Sequence, residues 1–150
     1  MNEKAFYQAT KVLIQAISGV ATSSVFISPA MSTDSLGKLR FPVFQIIPGT
    51  YSNDPEAQDQ EPGFIQVDWS VVVAVRIFND PYGENTILGT SNQTGLLDWG
   101  TSLLSVINEL RRSSGIVIQS TGASAANVQV MEDKSWVQWR QYNFRAYLNT

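Results

Sequence analysis

Between Phe64 and Phe78, apolar side chains occupy every second position: Ile65, Val67, Trp69, Val71, Val73, Val75 and Ile77. Side chains alternate faces along a strand, so this period-2 run predicts a strand with one continuous apolar face. Thirteen residues from Ile65 to Ile77 would reach roughly 43 Å at about 3.3 Å each, against a usual strand of about 5–6 residues. A chain of 150 residues, most simply one domain, cannot easily cover so long a ribbon by itself. Either the strand bends at a bulge, or part of it runs beyond the body and meets another chain. The second alternative favours an assembly protein over a compact enzyme.

Composition narrows the chemistry. A hydrophobic content of 43% with 15% charged residues is that of a globular domain, not of a disordered or fibrous chain. The net charge of −3 argues against binding nucleic acid through its phosphates, which needs clustered Lys and Arg. No cysteine is present, which removes disulfides, thiolate nucleophiles and thiolate metal sites, and fits a reducing cytoplasm. No histidine is present either, which deletes the usual general base and the commonest metal ligand. No apolar run approaches the roughly 18 residues of a membrane helix, so no membrane partner is expected. The start, Met1-Asn2-Glu3-Lys4, continues amphipathically and does not resemble a signal peptide.

Along the chain, Glu3 to Ser18 reads as a helix with Phe6, Ala9, Leu13, Ala16 and Ile17 on one stripe, Asn2 as cap and Gly19 as stop. Val25 to Ser28 is a short strand. Leu39 to Ile47 is a longer one, with Phe41, Val43, Gln45 and Ile47 on one face and Phe44 and Ile46 on the other. Pro42 confines that strand to a sheet edge or a strand start. Pro48 to Gly63 reads as a polar connection, and Asn79 to Thr94 as a second extended loop with turn chemistry at Asp80-Pro81 and Gly83. Gly95 to Ser113 is a second helix: Leu96, Trp99, Leu103, Leu104, Ile107 and Leu110 form its apolar face. Thr94 is its expected cap, and Arg111 and Arg112 sit at its negative end. Ile116–Gln119 and Val128–Met131 are short strands around a small-residue loop, Ser120 to Ala126. Trp136 to Leu148 is a last strand whose inward set changes parity, from Val137 and Trp139 to Tyr142, Phe144, Ala146 and Leu148, as a bulge would cause. The economical fold is α+β, a mostly antiparallel twisted sheet with two helices packed on one face and long loops between strands.

Catalytic signals are few. Pro48-Gly49-Thr50 lacks the second Gly and the Lys of a nucleotide-binding loop. Ser35 and Lys38 stand at a Ser-x-x-Lys spacing that arises often by chance in a turn. Asp54, Glu56, Asp59 and Glu61 are an acidic loop with no basic residue. Acid–base carboxylates or calcium ligands are one reading, but the spacing lacks the pattern of a calcium loop, and a solvated loop is the simpler one. Such a loop has a physical use beside a DNA passage, where like charge keeps phosphates from sticking. Trp136, Trp139, Tyr142, Phe144 and Tyr147, interleaved with Arg140 and Arg145, offer either a base-stacking platform or core and protein-contact residues; the acidic net charge favours the latter. Neither metal nor cofactor is expected.

Four stretches together carry a resemblance. They are Arg40-Phe41-Pro42-Val43-Phe44-Gln45-Ile46-Ile47-Pro48-Gly49, Val71-Val72-Val73-Ala74-Val75-Arg76, Gly95-Leu96-Leu97-Asp98, and Trp136-Val137-Gln138-Trp139 leading to Tyr142-Asn143-Phe144-Arg145-Ala146-Tyr147-Leu148. In this order the chain resembles the tail terminator, or tail completion, proteins among the neck proteins of tailed bacteriophages, across nearly all of residues 1–150. The resemblance implies a non-enzymatic virion protein, assembled in the host cytoplasm, that forms a ring, typically a hexamer. Such a ring stops tube polymerisation at the head-proximal end of the tail. Its partners would be sister subunits, the tail tube protein and the head–tail connector, with DNA passing through the lumen without specific binding. Candidate contact residues are Asp54, Glu56, Asp59, Glu61, Tyr82, Glu84, Arg111, Arg112, Arg140 and Arg145. Other neck, tail-tube or baseplate-adaptor roles, a small hydrolase using the acidic loop, and a cytoplasmic binding module or chaperone are the alternatives.

Overall fold

A computed structural model describes residues 1–29, 39–53, 64–77 and 80–149. Helix α1 (Glu3–Gln15) leads through a 3-10 turn (Thr22–Ser24) into strand β1 (Val25–Ile27). Strands β2 (Val43–Asn53) and β3 (Phe64–Arg76) follow, then a short helix α2 (Glu84–Leu88) and the long helix α3 (Leu96–Ser114). Strands β4 (Val117–Ala123), β5 (Asn127–Val130) and β6 (Trp136–Asn149) complete the chain. The sheet order is β1-β2-β3-β6, with β4 and β5 succeeding one another along the far side of β6. Among the described residues, only β1–β2 is parallel; every other pairing is antiparallel. The fold is α+β, as the element order predicts.

The alternating run is a single 13-residue strand, β3. It lies at the centre of the sheet. β6 pairs with it without a shift from Phe64↔Asn149 to Arg76↔Val137, and β2 covers its other side. Both edges of the ribbon are therefore closed within the chain, which corrects the expectation that sister subunits complete it. Its odd-numbered side chains, with Phe44 and Ile46 of β2 and Tyr142, Phe144, Ala146 and Leu148 of β6, form one core with α1 and α3. Trp69 is its hub: Phe6 meets it edge-on at 5.2 Å between centroids, and Phe144 stacks on it at 4.7 Å. Burying a large apolar side chain contributes roughly 1.5–3 kcal/mol, so this face dominates stability.

The parity change in β6 is not a bulge. Val137 pairs with Arg76 and Trp139 with Ala74, so both point away from the helices. There they join Val43, Ala74, Met131, Phe26, Leu39 and Phe41 in a second, smaller cluster on the opposite face. A strand whose two faces are each covered at different ends looks like a parity switch in sequence. The register shifts lie elsewhere, between Pro48 and Tyr51 of β2 and between Ser120 and Gly122 of β4. The first carries β2 past Pro48 to Asn53, so the segment expected to loop from Pro48 onward is strand for its first six residues. Gly49 permits it: a Cβ there would stand 2.1 Å from the Asp68 carbonyl oxygen. β4 likewise extends to Ala123 through residues expected in a loop. Pro42 stands just before β2, the strand-start position that proline allows.

Both long helices keep their expected positions with shifted details. Asn2 caps α1, its Oδ1 accepting from Ala5 N at 2.8 Å, but the inward stripe is Phe6, Tyr7, Thr10 and Ile14. Thr10 is tolerated inside because its hydroxyl donates to Phe6 O at 2.8 Å. Burial, with Glu3 adding to it, pushes the Tyr7 hydroxyl well above its ordinary pKa. On α3 the cap is Gly95 rather than Thr94, and Asp98 Oδ2 accepts from Gly95 N at 3.3 Å. Gly100 joins the buried face because the Tyr142 hydroxyl fills the space its side chain would need.

Candidate interaction surfaces

Residues 78–79 aside, the segment expected as the second loop is a turn followed by a helix. Asp80 shapes it, accepting from Thr86 N and Thr86 Oγ1, each at 2.8 Å. Burial works to raise the Asp80 carboxyl, but those bonds, with amides of Gly83 and Asn85, outweigh it and hold it below the usual carboxylate range. Gln138 Nε2, from β6, donates to Gly83 O at 3.0 Å and pins the turn to the sheet. Tyr82, at the tip, is 93% exposed. Between this turn and the strands lies a cleft of about 700 Å³, bordered by Ile77, Pro81, Tyr82, Val128 and Trp136. Val128 and Trp136 are each 52% exposed. Here three large apolar side chains face water together, the kind of patch that marks an interface.

The candidate arginines do not gather into one patch. Arg111 donates through Nη1 to Asn108 Oδ1 at 2.8 Å and through Nη2 to Ile118 O at 2.6 Å, tying α3 to β4. Arg112 makes an exposed pair with Glu109 at 3.5 Å, one turn back on the same helix. Arg140 donates to Ser124 O at 2.8 Å and lies over the Tyr142 ring at 5.4 Å. Arg145 donates to Asp68 Oδ1 at 2.8 Å, and that contact holds its guanidinium proton more tightly than usual. Arg140 opposes Val73 and Arg145 opposes Asp68, so the two project from opposite faces of the sheet. The aromatics divide in the same way: Tyr142 and Phe144 face the helices, Trp139 and Tyr147 face away. A continuous stacking platform does not form. Glu84 opens α2 and is exposed beside the Tyr82 turn. Asp54, Glu56, Asp59 and Glu61, and the Ser35–Lys38 pair, lie outside the described residues.

On the helix-free face, away from the small cluster, the strands carry a polar ladder. Ser70 Oγ donates to Asn143 Oδ1 at 2.9 Å, and Gln141 Nε2 donates to both Ser70 Oγ and Asn143 Oδ1. The Asp68–Arg145 pair continues this polar ladder on the same face. Among the described residues, no group of three or more Asp or Glu could hold a metal ion. No described helix is long and apolar enough to cross a membrane.

Sequence reasoning named Tyr82 as a candidate contact and Trp136 among the aromatics, but did not single out Val128 or Val130. The signal was available as charge rather than hydrophobicity: no charged residue occurs between Arg112 and Glu132. No protein-family model and no curated protein matches the chain. Among solved structures it is similar to a chain described as "Virion of native gene transfer agent (GTA) particle", at 11% identity over 97% of this chain and 92% of that one, with a TM-score of 0.35. At that score the similarity carries no functional argument.

Proposed function

We propose that this chain is a structural, non-catalytic subunit of a tailed-phage virion, a terminator ring that caps the tail tube and presents a new surface to the head connector. The observation that carries this reading is the outer margin of the sheet. β5 is unpaired on its outer side among the described residues, the chain from Ser113 to Met131 is uncharged, and exposed Val128 lies in β5 beside exposed Trp136 and Tyr82. Such a margin is built as half of an interface. The resemblance of the four quoted stretches supplies the identity of the assembly. Sister subunits, the tube protein and the connector are its partners, DNA crosses the lumen without specific contacts, and no cofactor takes part. The ring contact does not run through β3, whose edges are occupied; it runs through the margins of the sheet.

Electron microscopy of the purified protein, alone and mixed with tails lacking it, tests the proposal. Rings in solution and density at one end of each tube are expected. Monomers that leave tube ends bare would overturn it. Detection of the chain in purified virions separates this role from that of an assembly chaperone, which would be absent from them.

A further inference from the structure

Among the described residues, the sheet has two outer margins, β1 on one side and β4–β5 on the other. Both lie in charge-free chain. No charged residue stands between Lys11 and Asp34, around β1, or between Arg112 and Glu132, around β4 and β5, and no other interval between charged residues is as long. Soluble proteins guard free edges with lysine, proline, inward charges or bulges. The shift at Thr121 disturbs β4, whereas β5 is regular and carries none of these devices.

The direction of the backbone groups follows from the ladder. Met131 N donates to Ser135 O at 2.8 Å and Ser124 N to Gln141 O at 2.8 Å. Antiparallel alternation then aims Asn127 and Gln129 at β6, and Val128 and Val130 away from it. On β1, Ser28 N donates to Ile46 O at 3.0 Å, so alternation turns the groups of Ile27 outward. Among the described residues, the backbone groups of Ile27, Val128 and Val130 have no partner on that side.

Strand polarity selects the match. β1 runs with β2, against β3, with β6, and therefore against β5. Copies set side by side with the same sheet face turned the same way bring β1 of one against β5 of the next in antiparallel order, the more stable pairing. Side chains agree as well. Ile27, opposite Ile46, projects to the helix-bearing face and is 38% exposed; Val128 and Val130, opposite Gln138 and Trp136, project to the same face. The two strands are also matched in length, three residues and four.

We propose that β1 of one copy adds as a strand to β5 of the next, with Ile27 packing towards Val128, Val130 and the Trp136–Tyr82 cleft. The occupant of the cleft margin is thus a second copy of this chain, and the inference rests on reading the chain as a ring subunit. Main-chain bonds supply the affinity and the apolar cleft sets the register, as in other strand additions. The contact is head-to-tail, so each copy uses both margins once and the series closes into a ring when the rotation permits.

Two substitutions separate the margins. Val128→Pro removes an outward N–H without touching the β5–β6 ladder, and Ile27→Pro does the same on β1. Sedimentation velocity is expected to show each variant alone as a folded monomer by circular dichroism, while wild type forms larger closed species. Mixed one to one, the variants each retain one intact margin and are expected to form a dimer and nothing larger. Dimerisation of Ile27→Pro alone would mean β5 pairs with itself and would overturn the proposal, as would wild-type-like assembly of either variant. Should a variant fail to fold, amide exchange on wild type decides: protection of Ile27, Val128 and Val130 must rise on assembly, and unchanged exchange overturns the pairing. Rings that persist in both variants would sink this pairing and leave the ring standing. Edge-paired assemblies that ignore tube ends would keep the pairing and sink the virion role.

Discussion

β3 and the β4–β5 margin are built from similar residues and have opposite fates. Both carry spaced valines and little charge. β3 places its odd-numbered side chains under two helices and has a strand on either side. β4–β5 has β6 on one side only, and Val117, Val128 and Val130 face solvent. The difference teaches that an apolar strand at the centre stabilises the monomer, whereas the same strand at a margin has its apolar surface left for a neighbour.

The contrast breaks first at Trp69. Trp69→Ala removes the ring that Phe6 and Phe144 pack against, and is expected to cost about 3–5 kcal/mol in urea denaturation. A loss under roughly 1 kcal/mol, the range of an ordinary surface change, would mean that the helix-bearing face is not the principal core. Next comes Gly49→Ala, whose new methyl would meet the Asp68 backbone at the β2 bulge. A destabilisation of about 1–3 kcal/mol is expected, from overpacking against backbone that cannot yield. An unchanged melting curve would show that β2 does not hug β3 beyond Pro48. The smallest effect belongs to the margin: Val130→Ser should change monomer stability by no more than about 0.5 kcal/mol, because the side chain is already half in water. A larger loss, measured at concentrations where the protein is monomeric, would mean that β5 belongs to the monomer's core and would erase the distinction.

Much of the fold was legible in the residues. The period of two from Ile65 to Ile77 located β3 closely, and Asn2 marked the start of α1. Residues with two-sided surroundings misled. Val137 and Trp139 implied a bulge because their cover comes from Phe41 and Met131, distant in sequence, on the other face. Pro48-Gly49 read as the start of a loop because proline and glycine usually punctuate strands, yet here they form the bulge that keeps β2 alongside β3. Of the candidate contacts, Tyr82 stands at an exposed cleft beside Trp136, while Arg111, Arg140 and Arg145 are held by bonds within the chain that no local pattern announces.

By itself, the sequence determined where the two long helices and the central strand lie, because period and capping are local properties. It also determined that phosphate-binding and thiolate chemistry are disfavoured, since those depend on which residues exist at all. Only the tertiary structure decided which strand is central and which marginal. That choice depends on what lies beside each strand in space, and a ribbon's neighbours are set by the topology of the whole sheet.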